Sequence, residues 1–319
     1  MLRLIKRHWP DREVYWWIDS KLAPLLEGDP DLTGVVGFER HGWSKIRRWL
    51  ELWRSIQWAR RQSFDLVIDL QCLARSAVFG WLANGKLMIG LDESREGARA
   101  FYDLIVPRAS YHTHAVDWYL AVLPLINVPV HWNFDWVPKR SDVAARLFEK
   151  WPDMPSRRWI ILQPGARWMN KRWPVEHFAE LAQRLAARHS GLSFAILGGL
   201  EDVALGRTIA QAAPERCLDL TGKLSLPEMV EWIRLSELMV TNDTGPMHVA
   251  AAMGKRVVAL FGPTEPARTG PYGQSQHVLQ LNLPCVPCMK SRCAYFKPLE
   301  CLRALPVAAV FDAVCQRLD

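Results

Sequence analysis

The chain has 319 residues, half of them apolar and 23 % charged, with a formal net charge of +7. That length favours two cores over one, and the balance is that of a soluble globular protein rather than a disordered one. No apolar run approaches the ~20 residues a membrane helix needs. The basic start MLRLIKRHWPDREVYWW has neither the apolar core nor the small-residue cleavage site of a secretory signal. The expected compartment is the cytosol, where thiols stay reduced.

In chain order, Val14 to Ile18 and Val35 to Phe38 read as strands. Ser44 to Gln62 reads as a helix, with Ile46, Trp49, Leu50, Trp53 and Ile56 at helical spacing. Its other face carries Lys45, Arg47, Arg48, Arg54, Arg60 and Arg61. Leu66 to Leu70 is a buried-type strand, Ala74 to Asn84 a helix, Leu87 to Ile89 a strand and Asp117 to Leu125 a helix. A Trp- and Pro-rich break follows around Lys139 to Ser156. The alternation then resumes. Strands at Trp159 to Gln163, Phe194 to Leu197, Cys217 to Asp219, Leu238 to Val240 and Val257 to Phe261 alternate with helices at Val175 to His189, Asp202 to Ala212 and Pro227 to Ser236.

Strands and helices of these lengths imply right-handed crossovers and parallel sheets covered on both faces. The expected domains are 1–145 and 146–319, with the last helix free to pack back on the first. In such sheets ligands bind at the carboxyl ends of the strands.

Three strand ends in the second half carry chemistry. TNDTGPMH puts Asp243, Thr244, Gly245 and His248 where a strand passes into a helix. The first N–H groups of a helix have no internal partners and form a natural phosphate site. The plainer reading is a capping Asp243 or Thr244 with a structural histidine. The loop PGARWMNKRWP supplies Gly165, Arg167, Lys171 and Arg172, cations that can neutralise a diphosphate or simply be solvated. The loop LGGLED offers Glu201 or Asp202, either to cap a helix or to accept ribose hydroxyls. A cation, an acid and a helix N-terminus at neighbouring strand ends outline a nucleotide-diphosphate site. Neither G-x-G-x-x-G nor a Walker lysine loop is present, which argues against NAD binding and ATP hydrolysis.

These segments resemble glycosyltransferase family 9, the ADP-heptose:lipopolysaccharide heptosyltransferases. The likeness lies in NDTGPMHVAAAMGKRVVALFGPTEP, PGARWMNKRWPVEHFAEL and LGGLEDV. It extends, more loosely, to FDLVIDLQCLARSAVFGWL, SREGARAFYD and HTHAVDWYL in the first half. Where the family commonly reads Gln-Gly-Leu and then Lys-Ser, this chain has Gln71-Cys72-Leu73-Ala74-Arg75-Ser76.

The resemblance implies a GT-B fold, two Rossmann-like doubly wound domains facing across a cleft. It implies inverting transfer from a nucleotide-diphospho-sugar, usually ADP-heptose, to an anionic lipopolysaccharide-type acceptor, with no metal or other cofactor. Carried over, Lys171 stabilises the departing diphosphate and Glu201 holds the ribose. Asp243, Thr244, Gly245 and His248 line the diphosphate and sugar. Arg75 and Arg95 are the candidates for gripping the acceptor.

The sequence departs from the family at its start. LRLIKRHWPD reads as a helix end, and the strand and Gly-Asp loop expected before it are not seen. The general base expected in that loop is therefore unassigned. Three readings compete: a start placed too late, a decayed enzyme, or a binding or scaffolding protein that kept the donor site. Asp19 and Asp69 are possible substitutes, with a structural cap the plainer role for Asp69. Loss of a first strand would also leave the first sheet with unpaired backbone groups and the chain poorly stable.

Cys285, Cys288, Cys293 and Cys301 form a cluster with one Cys-x2-Cys pair, and zinc is a minor alternative there. Cys72 and Cys217 read as packing residues. The basic helix 44–62 either packs with a solvated outer face or touches the anionic inner face of the cytoplasmic membrane. The basic residues are dispersed and no nucleic-acid module is recognisable, so nucleic acid is not an expected partner.

Overall fold

The computed structural model describes residues 1–39, 46–92, 96–132 and 136–318, the side chains of 46–48 excepted. The chain divides into two compact units, Met1–Phe134 and Asp135–Asp319.

The first unit runs α1 (Leu2–His8), β1 (Tyr15–Asp19), β2 (Gly34–Phe38), α2 (Ile46–Gln62), β3 (Leu66–Asp69), α3 (Ala74–Leu82), β4 (Leu87–Leu91), β5 (Leu104–Val106) and α4 (Ala115–Leu120). Its strands form two parallel sheets, β1-β2 and β3-β4-β5. Among the described residues no strand bridges them. Aromatic side chains link the two sheets instead. Trp17 of β1 meets Phe79 of α3 edge-on at 4.6 Å between ring centres, and Tyr15 meets Trp58 of α2 at 5.2 Å. Part of the high tryptophan content is thus spent on packing. One close approach requires glycine. A Cβ on Gly90 of β4 would lie 2.2 Å from the Tyr102 ring, so only glycine lets that ring lie across the strand.

The second unit runs α5 (Ser141–Lys150), β6 (Arg158–Gln163), α6 (Val175–Arg188), β7 (Leu192–Ile196), α7 (Val203–Ala212), β8 (Cys217–Asp219), α8 (Leu226–Leu235), β9 (Leu238–Asn242), α9 (Gly245–Ala252), β10 (Arg256–Phe261), α10 (Pro266–Thr269), β11 (Val278–Gln280), α11 (Glu300–Arg303) and α12 (Val307–Leu318). Six parallel strands are ordered β11-β10-β9-β6-β7-β8. From β6 the chain winds outward through β7 and β8; from β9 it winds the other way. The strand order therefore reverses between β6 and β9, where such sheets hold ligands.

Side-chain alternation along β6 feeds two cores. Ile160 and Leu162 join Phe178, Leu181, Ala182 and Leu185 of α6 and Val310 and Val314 of α12 on one face. Trp159 and Ile161 join Leu147 of α5, Trp232 of α8 and Met247 of α9 on the other. The spacing 178, 181, 182, 185 is one helical face, and each such buried side chain stabilises by about 1.5–3 kcal/mol.

The units divide earlier than the boundary at 145/146 read from the sequence. The reason is α5, which the sequence reading placed in the break. Its Leu147 is fully buried beside Trp159 and Trp232, so the helix belongs to the second unit's core. α12 packs on α6 within the second unit through Val310 and Val314. β5 and β11, three residues each, were not foreseen. Among the described residues no helix is long and apolar enough to cross a membrane.

Candidate active site

At the switch point, Asn242 ends β9 and is fully buried. Its Nδ2 donates to the Pro164 carbonyl at 2.7 Å, and its Oδ1 accepts from the Trp173 N–H at 3.1 Å. One carboxamide thereby ties both ends of the loop 164–173 to the neighbouring strand. The indole of Trp173 donates to the Leu305 carbonyl at 3.0 Å and fixes the far end again. Asn170 donates to the Lys290 carbonyl at 2.8 Å.

The loop so held presents Lys171. Its Nζ lies 2.6 Å from Asp243 Oδ2 and 4.6 Å from the centre of the Trp168 ring. The same carboxylate oxygen accepts the Thr264 hydroxyl at 2.6 Å. The Asp243 side chain is 7 % exposed and that of Lys171 17 %. A carboxylate buried this far needs such partners, because an unpaired charge there would be strongly destabilising. Asp243 therefore does not cap α9, contrary to the plainer sequence reading. Thr244 occupies the N-cap position but makes no side-chain cap bond. The first amides of α9 are left for something other than a side-chain cap. Gly245 is exposed, and a Cβ there would meet nothing within 4 Å. His248 is exposed on the first turn of the same helix.

The loop after β7 is fastened to the loop after β6. Buried Asp202 accepts the Gly199 N–H at 3.1 Å and faces Arg172 at 3.4 Å, while Arg172 Nε donates to the Ala166 carbonyl at 2.8 Å. Burial holds the Asp202 carboxyl above the usual carboxylate range, against the opposing pull of the Gly199 N–H and Arg172. A Cβ on Gly165 would lie 2.2 Å from Asp202 Oδ2, so this buried glycine permits the two loops to touch. Gly165 and Arg172, read from sequence as ligand contacts, thus have structural work. Glu201 is exposed beside Asp202, and Arg167 is exposed with no ion pair among the described residues.

In the first unit, Asp69 ends β3. Its Oδ1 accepts the N–H groups of Gln71 and Cys72 at 2.8 and 3.2 Å; its Oδ2 accepts the hydroxyls of Ser76 and Tyr102, each at 2.8 Å. Both oxygens are doubly engaged, which suits a loop anchor and not a proton acceptor. Burial, and after it the Asp69 carboxylate, pushes the Tyr102 hydroxyl pKa up. Asp19 accepts the Lys21 N–H at 3.1 Å. Arg75 is exposed in the first turn of α3. Arg95 lies outside the described residues.

Among the described residues no group of three or more His, Cys, Asp or Glu side chains is placed to hold a metal. Cys301 is buried in the core beside Leu302, and Cys293 accepts the Leu299 N–H at 3.3 Å. Burial, with the neighbouring thiols, pushes the Cys301 pKa up to about 11. Cys217 is half-buried rather than fully enclosed, and desolvation takes it up to about 12.

Sequence reasoning missed Thr264 and Asn242 as parts of the site. Both lie in stretches that drew notice, but their partners are distant in sequence. The signal available was a second Gly-Pro turn at the end of β10, beside the first.

The family model for glycosyltransferase family 9 (heptosyltransferase) matches residues 49–298. The chain is 32 % identical to lipopolysaccharide heptosyltransferase 1 of Pseudomonas aeruginosa, over 91 % of this chain and 81 % of that protein. It is 37 % identical to lipooligosaccharide heptosyltransferase 2 of Haemophilus influenzae, over 87 % of this chain and 82 % of the relative. The solved structure of E. coli ADP-heptose lipopolysaccharide heptosyltransferase II matches in fold with a TM-score of 0.76 at 22 % identity, covering 99 % of this chain and 92 % of that one. The architecture is of the GT-B class, built on two Rossmann-like units. The chain is a glycosyltransferase and belongs to glycosyltransferase family 9, the heptosyltransferases.

Proposed function

We propose that this chain transfers a heptose from ADP-heptose to a lipopolysaccharide core acceptor, with inversion, at the inner face of the cytoplasmic membrane. The names of the relatives, similar over most of both chains, support the sugar and the acceptor class. The observation that carries the reading is the ion pair of Lys171 with Asp243, whose carboxylate Thr264 braces, beside an uncapped helix N-terminus.

As the bond between the anomeric carbon and the phosphate oxygen breaks, negative charge grows on the departing diphosphate. A fixed ammonium and fixed amides placed there favour the transition state over the bound substrate. Lys171 supplies the ammonium, and the amides of Thr244 and Gly245 the helix end. Asp243 acts as a positioning residue. Its charge is balanced by Lys171 and by the Thr264 hydroxyl, so it repels the diphosphate less than a bare carboxylate would. Arg167, exposed on the loop after β6, and His248, exposed on the first turn of α9, contact phosphate or sugar oxygens. Glu201 accepts the ribose hydroxyls, and Arg75 with Arg95 holds the anionic acceptor.

The competing reading, a binding or scaffolding protein, requires ADP binding without transfer. Incubation of the purified chain with ADP-heptose and a core acceptor lacking the heptose separates the two. Release of ADP matched by gain of one heptosyl residue on the acceptor is the expected result. Tight ADP binding with neither product would leave the scaffold reading in its place.

A further inference from the structure

Sugar transfer makes no use of the outer face of α2. The inner face of that helix packs. Ala59 is fully buried, and Trp58 meets Tyr15, Trp17 and Phe64 edge-on at 5.2, 6.0 and 6.2 Å. The outer face reads Trp49, Leu50, Trp53, Arg54, Arg60 and Arg61, which at 100° per residue fall within an arc of about 140°. Trp49 is 57 % exposed, Leu50 52 % and Trp53 59 %, and the three arginines are exposed with them. The acid of α2, Glu51, projects from the opposite side of the helix.

The sequence reading set Trp49, Leu50 and Trp53 on one face of this helix and Arg54, Arg60 and Arg61 on the other; here all six are exposed together. Adjacent exposed Trp, Leu and Trp side chains form an apolar patch of the kind that marks an interaction surface. Tryptophan favours the boundary between lipid headgroups and acyl chains. Arginine can bury its stem in the same boundary and keep its guanidinium on the phosphates. Protein interfaces also favour Trp and Arg, so the one-sided charge decides. Among the described residues of α2 this face offers three cations and no carboxylate, complementary to an anionic lipid surface.

The geometry points to α2 as a helix that lies along an anionic bilayer, with Trp49, Leu50 and Trp53 entering the headgroup layer and Arg54, Arg60 and Arg61 on lipid phosphates. This rests on the reading above that the acceptor is lipid-borne. The docking helix holds the enzyme at the surface where such an acceptor is found.

The test is co-sedimentation of the full chain with vesicles of phosphatidylcholine, alone or mixed with phosphatidylglycerol, with ADP affinity measured in parallel. The chain is expected to bind the mixed vesicles, to bind the neutral ones far less, and to be released by salt. The double variant Arg60→Gln/Arg61→Gln should weaken binding more than tenfold, at about fivefold per arginine. Leu50→Ser/Trp53→Ser should also weaken it, through exposed positions whose loss leaves the fold and ADP affinity unchanged. Arg184→Gln/Arg188→Gln removes the same charge from exposed positions on α6 and should leave vesicle binding nearly unaltered. Equal loss in the α6 variant would reduce the effect to net charge and overturn the proposal. So would equal binding to neutral vesicles, or α2 variants that bind like the parent. If the α2 variants instead changed the oligomeric state of a chain that ignores vesicles, the face would belong to a second copy. ADP affinity lost in the unaltered chain would count against the donor site and not against α2.

Discussion

The four central strands of the second unit are sealed on both faces, and β1 and β2 of the first are not. Every residue of β7 and β9 is buried, as is all of β6 and β10 except the first residue. No residue of β1 or β2 is fully buried. The second unit builds one six-stranded sheet, while the first divides its strands between sheets of two and three. The difference follows what each strand end must do. Lys171, Asp243 and Thr264 must be placed to within about 0.5 Å, and such placement needs an unyielding scaffold. The outward residues of α2 need only exposure.

The largest expected effect contrasts two tryptophans. Trp232 is fully buried between Trp151 and Trp159, at 5.7 and 5.3 Å between ring centres. Trp232→Ala should cost about 3–5 kcal/mol. Trp17→Ala, at a half-buried site in the first unit, should cost clearly less. Denaturant unfolding, followed by a probe in each unit because two units need not unfold together, compares them. Equal losses would break the contrast. Gly90→Ala comes next, at about 1–3 kcal/mol, because the new methyl must displace the Tyr102 ring. Its loss should appear in the first unit's transition alone. Amide exchange sharpens the contrast without mutation: β1 and β2 should exchange faster than β7 and β9. Similar protection in both would show that burial misjudges local stability here.

The smallest effect is a pH dependence. The Asp202 carboxyl is held above its ordinary value, chiefly by burial. Its native pKa thus exceeds its unfolded one, and the native state binds more protons in the window between them. The contribution is fully present below the unfolded value near 3.8 and is lost as pH rises through the native one. Stability measured across that window should fall less steeply in Asp202→Asn than in the parent. Identical slopes would remove Asp202 as the source.

The donor half was legible because its chemistry is contiguous. Asp243, Thr244, Gly245 and His248 occupy one turn of chain, and the strands beside them are long enough to show their pattern. The ion pair of Lys171 with Asp243 was not legible, since 72 residues separate its members. Thr264 escaped for the same reason; only the pairing of β9 with β10 brings its turn beside Asp243. β5 and β11 are too short to display a period. α5 was missed because its amphipathic run sits between prolines, and composition there outweighed spacing. Whether the tryptophans of α2 pack or stay exposed was not legible, because periodicity identifies an apolar face without saying whether anything covers it.

The central claim is that Lys171, held by the Asp243 carboxylate that Thr264 braces, stabilises the leaving diphosphate. Lys171→Ala should be compared with the parent for single-turnover heptosyl transfer and for ADP dissociation constant. Loss of one such fixed donor costs about 3 kcal/mol of barrier, roughly a hundredfold in rate or more. The account predicts that fall with ADP affinity reduced far less. Equal losses in rate and affinity would make Lys171 a binding residue only and contradict the account.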